Sequence, residues 1–108
     1  MFKFRKKYTF AKDEKFTFDG RVLYRVQALK DFGKYRKGAI GGYIEHEHNL
    51  SQEGDCWVDD DACVYGAAQV LQNAVVLENA VICGQAIIYG NAEVTGKRTG
   101  SLLDFFRG

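Results

Sequence analysis

Proline is absent from the 108 residues, tryptophan and methionine occur once each, and cysteine three times. Without proline there is no Pro-rich linker or polyproline arm. Cys56, Cys63 and Cys83 show no CxxC spacing. They are too few for a disulfide framework and wrongly spaced for a thiolate metal site. The basic start from Met1 to Lys7 is followed by no apolar leader segment, so a reduced, cytoplasmic setting is expected. No run reaches the ~18 apolar residues that cross a bilayer, which excludes a membrane span. One further absence is regional: positions 41–96 contain no Lys or Arg at all.

That gap makes the net charge of +1 misleading. The first 40 residues carry twelve Lys and Arg against Asp13, Glu14, Asp19 and Asp31. The next 56 carry nine carboxylates, the densest at Asp59-Asp60-Asp61, and no cation. Two surfaces of opposite sign are expected. They either neutralise each other, within one chain or between copies, or the basic half meets an anionic nucleotide or nucleic acid.

From Asp55 to Gly96 the chain divides into the blocks DCWVDD, DACVYG, AAQVLQ, NAVVLE, NAVICG, QAIIYG and NAEVTG. The fourth position is Val or Ile in every block, and the second is Ala or, once, Cys. A period of six with these residues describes a short strand and a corner, repeated. Alternation puts the second and fourth residues on one face, where the β-branched side chain fills an interior and the small one fits the inward bend. Gly66, Asn73, Asn79, Gly84, Gly90, Asn91 and Gly96 suit the corners. A helix cannot keep an apolar stripe at period six. Three sides make an 18-residue turn, so Val58, Val76 and Val94 stack.

The third and fifth positions point outward and are mostly apolar. A surface of that kind is rarely left bare on a soluble monomer. A homo-oligomer, trimer or dimer, is therefore expected, with Tyr65, Leu71, Val81, Ile87 and Tyr89 as candidate interface residues.

Upstream, Asp19-Gly20 lies between extended runs and marks a two-residue hairpin turn. Phe2, Phe4, Tyr8 and Phe10 alternate with Lys3, Arg5 and Lys7. Lys3, Arg5, Lys6, Lys7, Arg21 and Arg25 are the candidate partner-binding basic face, since cations interleaved with aromatics suit nucleic acid. Asn49, Ser51 and Gln52 can bond the exposed first edge of the coil, and Gly41-Gly42 permits a sharp turn. The organisation expected is a single domain: a basic hairpin and cap over 1–54, the repeat over 55–96, and a capping segment over 97–108. That last segment reads as a short helix with Ser101 as N-cap.

Residues 28–57 carry Ala28-Leu29, Asp31-Phe32, Gly38, Gly41-Gly42 before Tyr43, Asn49-Leu50-Ser51-Gln52, and Gly54-Asp55-Cys56-Trp57. With the repeat, this stretch resembles the hexapeptide-repeat family, and among it small bacterial and phage proteins described as transferases of undefined activity. The resemblance implies an all-β fold, a short left-handed parallel β-helix. It also implies the chemistry of the family's acyltransferases, in which a histidine base near a subunit boundary serves an acyl carrier. Only His46 and His48 could take that role, and both precede the repeat. On one strand they would share a face and could also hold a metal, but two ligands are too few. No P-loop, GxGxxG or Ser/His/Asp arrangement is present. No catalytic residue and no cofactor is therefore assigned. The expected function is a non-enzymatic oligomeric binding protein of phage or prophage type, acting in the host cytoplasm. Its partner would be a host protein, such as one of a defence system that it inhibits, or an anionic nucleotide or nucleic acid. The alternatives are acyl transfer through His46 or His48, and a structural piece of a particle.

Overall fold

The structure is a computed structural model that describes residues 6–96, 98–99 and 105–107. The described residues are all-β, with one short 3-10 turn among them at Glu47–Asn49. Two long strands, β1 (Tyr8–Phe18) and β2 (Arg21–Ala28), form an antiparallel hairpin. Its turn is Asp19-Gly20, both residues at positive φ (52° and 74°), as a two-residue hairpin turn demands. β3 (Ile40–Ile44) pairs antiparallel with β2. Short strands follow: β4 (Trp57–Val58), β5 (Cys63–Val64), β6 (Gln69–Val70), β7 (Val75–Leu77), β8 (Val81–Ile82), β9 (Ile87–Tyr89) and β10 (Glu93–Thr95). Beyond the repeat lie β11 (Arg98–Thr99) and β12 (Phe105–Arg107).

These short strands fall into three sheets that the chain visits in turn. β4, β7 and β10 form one ladder, and β6, β9 and β12 a second. The third holds β5, β8 and β11 and is continued upward by β3, β2 and β1. Within the repeat every pairing is parallel at an offset of 18 residues, such as Val58 with Val76 and Val64 with Ile82. The interior is the set of fourth and second positions. Val58, Val64, Val70, Val76, Ile82 and Ile88 are wholly buried, as are the alanines between them. Each such aliphatic side chain contributes about 1.5–3 kcal/mol on leaving water.

Three features depart from the expectations. First, parallel pairing already begins at β3, with Ile44 beside Val64 and Leu50 bridged to Val70. That offset is 20, because two extra residues lie between Leu50 and Gly54, which is itself a positive-φ corner over Gln72 at the regular offset of 18. Second, the corner residue at positive φ is the sixth of each block, including Asp60, Gln72 and Glu78 as well as four glycines. Asn73, Asn79 and Asn91 follow the corner and are not left-handed. Third, the helix expected after Ser101 is not present in its described part. Phe105–Arg107 is β12, paired in parallel with Ile87–Tyr89 at the same offset of 18. Strand addition to a waiting edge outweighs local helix preference there. Residues 100–104 lie outside the described set.

The glycine pair is also used differently. Gly41 and Gly42 lie within β3 rather than at a turn. A β-carbon on Gly41 would meet the Val58 carbonyl and the Trp57 ring, and one on Gly42 the Ala62 carbonyl. Glycine is required because the first strand lies close on the rung below.

Candidate functional site

The corner between Ile44 and Leu50 carries both histidines. Asn49 is fully buried there. Its Oδ1 accepts the N–H groups of Glu45 (3.1 Å) and His46 (2.7 Å). Its Nδ2 donates to the carbonyls of Gly66 (3.1 Å) and Ala68 (2.8 Å). One amide thus ties the corner to the next rung with all of its capacity satisfied. The rings of His46 and His48 stack, with centroids 5.1 Å apart and planes 17° from parallel. Lone pairs lie in the ring planes, so two stacked imidazoles cannot point at a common metal ion. Among the described residues no three His, Cys, Asp or Glu side chains gather as a metal site would need. His48 Nε2 lies 2.9 Å from the Gly66 carbonyl oxygen. His46 Nε2 lies 3.4 Å from Glu45 Oε1. Burial pulls the Glu45 carboxyl up, but the Gly66 N–H and Arg21 outweigh it and hold the group below its ordinary range.

The basic candidates do not form one open face. Lys3 and Arg5 lie outside the described residues. Lys6 pairs with Glu47 at 3.3 Å. Lys7 is fully buried; its ammonium donates to the carbonyls of Cys56 (2.8 Å) and Gly54 (3.1 Å) and lies 4.8 Å from the Phe32 ring centroid. Desolvation lowers its pKa. Arg21 binds Glu45 at 2.7 Å and lies over Tyr65. Arg25 reaches Glu14 (3.5 Å), Asp61 (3.1 Å) and the Gly41 carbonyl (2.7 Å), and stacks on Tyr43. In the described residues, then, basic and acidic halves meet within one chain.

Exposed cations that lack such partners lie elsewhere, Lys15 on β1 and the others in the loop joining β2 to β3. Lys30, Lys34, Arg36 and Lys37 are all exposed. None forms an ion pair with a described residue. The run is visible in the sequence, but the aromatic alternation upstream drew the assignment to the first strands instead.

The three outer sides differ. On the β5–β8 side the hairpin folds back over the surface, and Leu23 and Phe18 pack against Cys63, Tyr65 and Cys83, with Val81 at the edge. Tyr65 also bonds Asp19 at the hairpin turn. On the β4–β7 side, Phe32 and Tyr35 cover Trp57 with ring centroids 5.1 and 5.7 Å away. The β6–β9 side presents Gln69, Leu71, Ile87 and Tyr89, all half-buried. Residues 69–72 and 87–90, which form β6, β9 and their corners, contain no charged residue; Arg107 of β12 continues the same sheet in register with Tyr89. Of the five interface candidates, Tyr65 and Val81 therefore sit against the chain's own hairpin, and Leu71, Ile87 and Tyr89 share the uncharged side.

All three cysteines are free thiols and buried. Burial raises the Cys56 thiol despite Lys7 at 3.4 Å, and raises Cys63 to about 11. Neither is poised as a nucleophile.

Comparison with known proteins adds one relative. No family model matches the chain. The chain is 38% identical over 53 residues to an uncharacterized acetyltransferase, YdcK, of Escherichia coli (strain K12). The match covers 48% of this chain but only 16% of the relative. The likeness is to a segment of that protein.

Proposed function

We propose that the chain is a short left-handed hexapeptide-repeat β-helix that works as a non-enzymatic binding module and assembles with further copies of itself. The observation that carries this is the uncharged β6–β9 side. Interfaces are depleted of charge at their centre and enriched in aromatics. Leu71, Ile87 and Tyr89 have that character in a chain where 27% of residues are charged. The left-handed winding is supported by the resemblance of the repeat and by its regular corners. Sedimentation velocity across micromolar concentrations tests the assembly. The expected result is a species heavier than 12.2 kDa that Leu71→Glu with Ile87→Glu returns to monomer. A wild-type monomer at 100-fold higher concentration, or no change in the double variant, would refute it.

A second reading is acyl transfer, favoured by the name of the relative and by one contact. If His48 donates from Nε2 to the Gly66 carbonyl, its Nδ1 is left as a proton acceptor, the arrangement a general base needs. Turnover of acetyl-coenzyme A that disappears in His48→Ala would establish this reading over the first.

A further inference from the structure

We propose that two copies of the chain dock through their β6–β9 sides with the coils antiparallel, about a two-fold axis that crosses between β6 and β9, and that Glu53 of each copy meets Arg107 of the other. This pairing rests on the assembly reading above and names the arrangement and the residues that fix it.

The side has four rungs. At the top, Leu50 is bridged to Val70, and the Ser51 N–H donates to the Val70 carbonyl at 3.0 Å. β6, β9 and β12 follow in parallel register. Ser51, Leu71, Tyr89 and Arg107 succeed one another along one column, and Gln69, Ile87 and Phe105 along the other. The two middle rungs are uncharged, and their outward residues are half-buried. The ends differ. Above Leu71 lies an open depression that Ser51, Glu53, Gly54 and Gln72 also line. Glu53 is exposed and has no ion-pair partner among the described residues. At the opposite end stands a cation, Arg107. The face thus runs from a carboxylate to a guanidinium over three rung spacings, about 14 Å.

This polarity selects the symmetry. A two-fold axis along the strand direction, midway between β6 and β9, reverses the order of the rungs. The top rung of one copy then faces β12 of the other, and β6 faces β9. Leu71 lies against Tyr89 of the second copy, and Gln69 against Ile87 of the second copy. Apolar surface occupies the centre, and each end brings opposite charges together. A two-fold contact is isologous, so the pair of Glu53 and Arg107 is made twice. A parallel arrangement through this side keeps the rungs level. It gathers the Arg107 residues at one end and the Glu53 residues at the other, each without a partner of opposite sign. The β4–β7–β10 side offers no such match, since residues 57–59, 75–77 and 93–95 hold Asp59 and Glu93 and no cation. On the third side the hairpin is already seated. A face four rungs tall and one short strand wide falls below the ~800 Å² per partner of a standard interface, so a reversible dimer is expected.

The test is sedimentation velocity on wild type, Glu53→Arg, Arg107→Glu, the combined variant, and an equimolar mixture of the two single variants. Wild type is expected to form a dimer of twice the 12.2 kDa chain mass, with a dissociation constant that rises with salt. Each single variant sets like charges together at both ends of the contact and should weaken dimerisation about tenfold. The combined variant exchanges the signs and should return to within about threefold of wild type. The mixture should do the same, because a heterodimer regains an opposite pair at each end. An effect confined within one chain has no such rescue. Melting midpoints should match wild type throughout, which shows that each variant is folded. A wild-type trimer, single variants that dimerise as wild type does, or weakened variants that mixing does not rescue would each overturn the antiparallel pair. If Leu71→Glu with Ile87→Glu still returns such an assembly to monomer, the earlier reading stands without this one. A wild type that is monomeric at every concentration removes both.

Discussion

Residues 6–40 and residues 41–96 are built by opposite rules. The second region is regular, nearly free of exposed cations, and held by repetition. Each rung repeats the backbone bonds and the Val or Ile of the rung below. The first region has no repeat; it joins the second through the β2–β3 ladder and through individual side chains. Gln52 Oε1 accepts the N–H groups of Lys7 and Tyr8, and its Nε2 donates to the Tyr8 carbonyl, so one amide takes the place of a neighbouring strand. Lys7, Tyr8, Arg21 and Arg25 each add a specific bond. The hairpin in turn covers an apolar side of the repeat that would otherwise meet water. A coil this short is stable because an irregular segment closes it, consistent with the need of repeat folds for capped ends.

The comparison breaks most readily inside the repeat. Val76 lies between Val58 and Val94, with no exposure. Val76→Asp places a carboxylate where no partner exists, and should cost more than about 4 kcal/mol and abolish cooperative urea unfolding. A variant that still unfolds cooperatively would refute the stacked interior. Next is Asn49→Ala at the junction. Four backbone groups lose a buried partner, and a loss of about 3 kcal/mol is expected. A loss below about 1 kcal/mol would mean that the corner does not depend on this amide.

Alkaline pH separates the regions by another route. Cys63 lies under the hairpin, and its thiol is raised from 9.0 to about 11 because burial disfavours the thiolate. Below pH 9 it is neutral whether folded or unfolded. Above that, the unfolded chain releases the proton first, so stability falls with rising pH until about 11. The drop attributable to Cys63 is at most about 2–3 kcal/mol. In Cys63→Ala the slope of urea stability between pH 9 and 11 should become shallower, and an unchanged slope would assign the effect elsewhere. Tyr35, raised to about 12 by burial and by Asp59, acts later, from pH 10 upward.

The repeat was legible because every block states its interior twice, once in the Ala and once in the Val or Ile. What lay outside the period was harder to read. Ile44 and Leu50 build the first rung, but two extra residues shift their offset from 18 to 20 and hide the match. Phe105 and Phe106 sit in a stretch whose spacing suits a helix, and only the waiting edge of β9 makes it a strand. Asp60, Gln72 and Glu78 adopt positive φ because the corner requires it, and nothing in their chemistry signals this. The site was less legible still. Alternation placed Lys7 on a solvent face, whereas its ammonium is the buried tie to Gly54 and Cys56. Electrostatic pairing across distant residues, such as Arg25 with Asp61, leaves no periodic trace.

The finest contrast concerns surface contacts. Arg21 holds Glu45 at 2.7 Å, yet its side chain is 43% exposed. In solvent such a pair is screened and must order a long side chain, so Arg21→Ala should cost less than about 1 kcal/mol. Asn73 on the repeat is also exposed, and its bonds to Asp55 (3.3 Å) and Asn91 (3.5 Å) are long. Asn73→Ala should cost less than about 0.5 kcal/mol, because the backbone ladder around it remains. The two variants should nevertheless differ in hydrogen exchange. Loss of Arg21 should speed exchange only in the hairpin, since the residue bridges two separately built regions. Loss of Asn73 should be felt along its own rung and the next, since repeat stability is shared between neighbours. If Arg21→Ala instead accelerates exchange throughout residues 57–95, the hairpin and the coil open as one unit, and the division between them is a matter of sequence only.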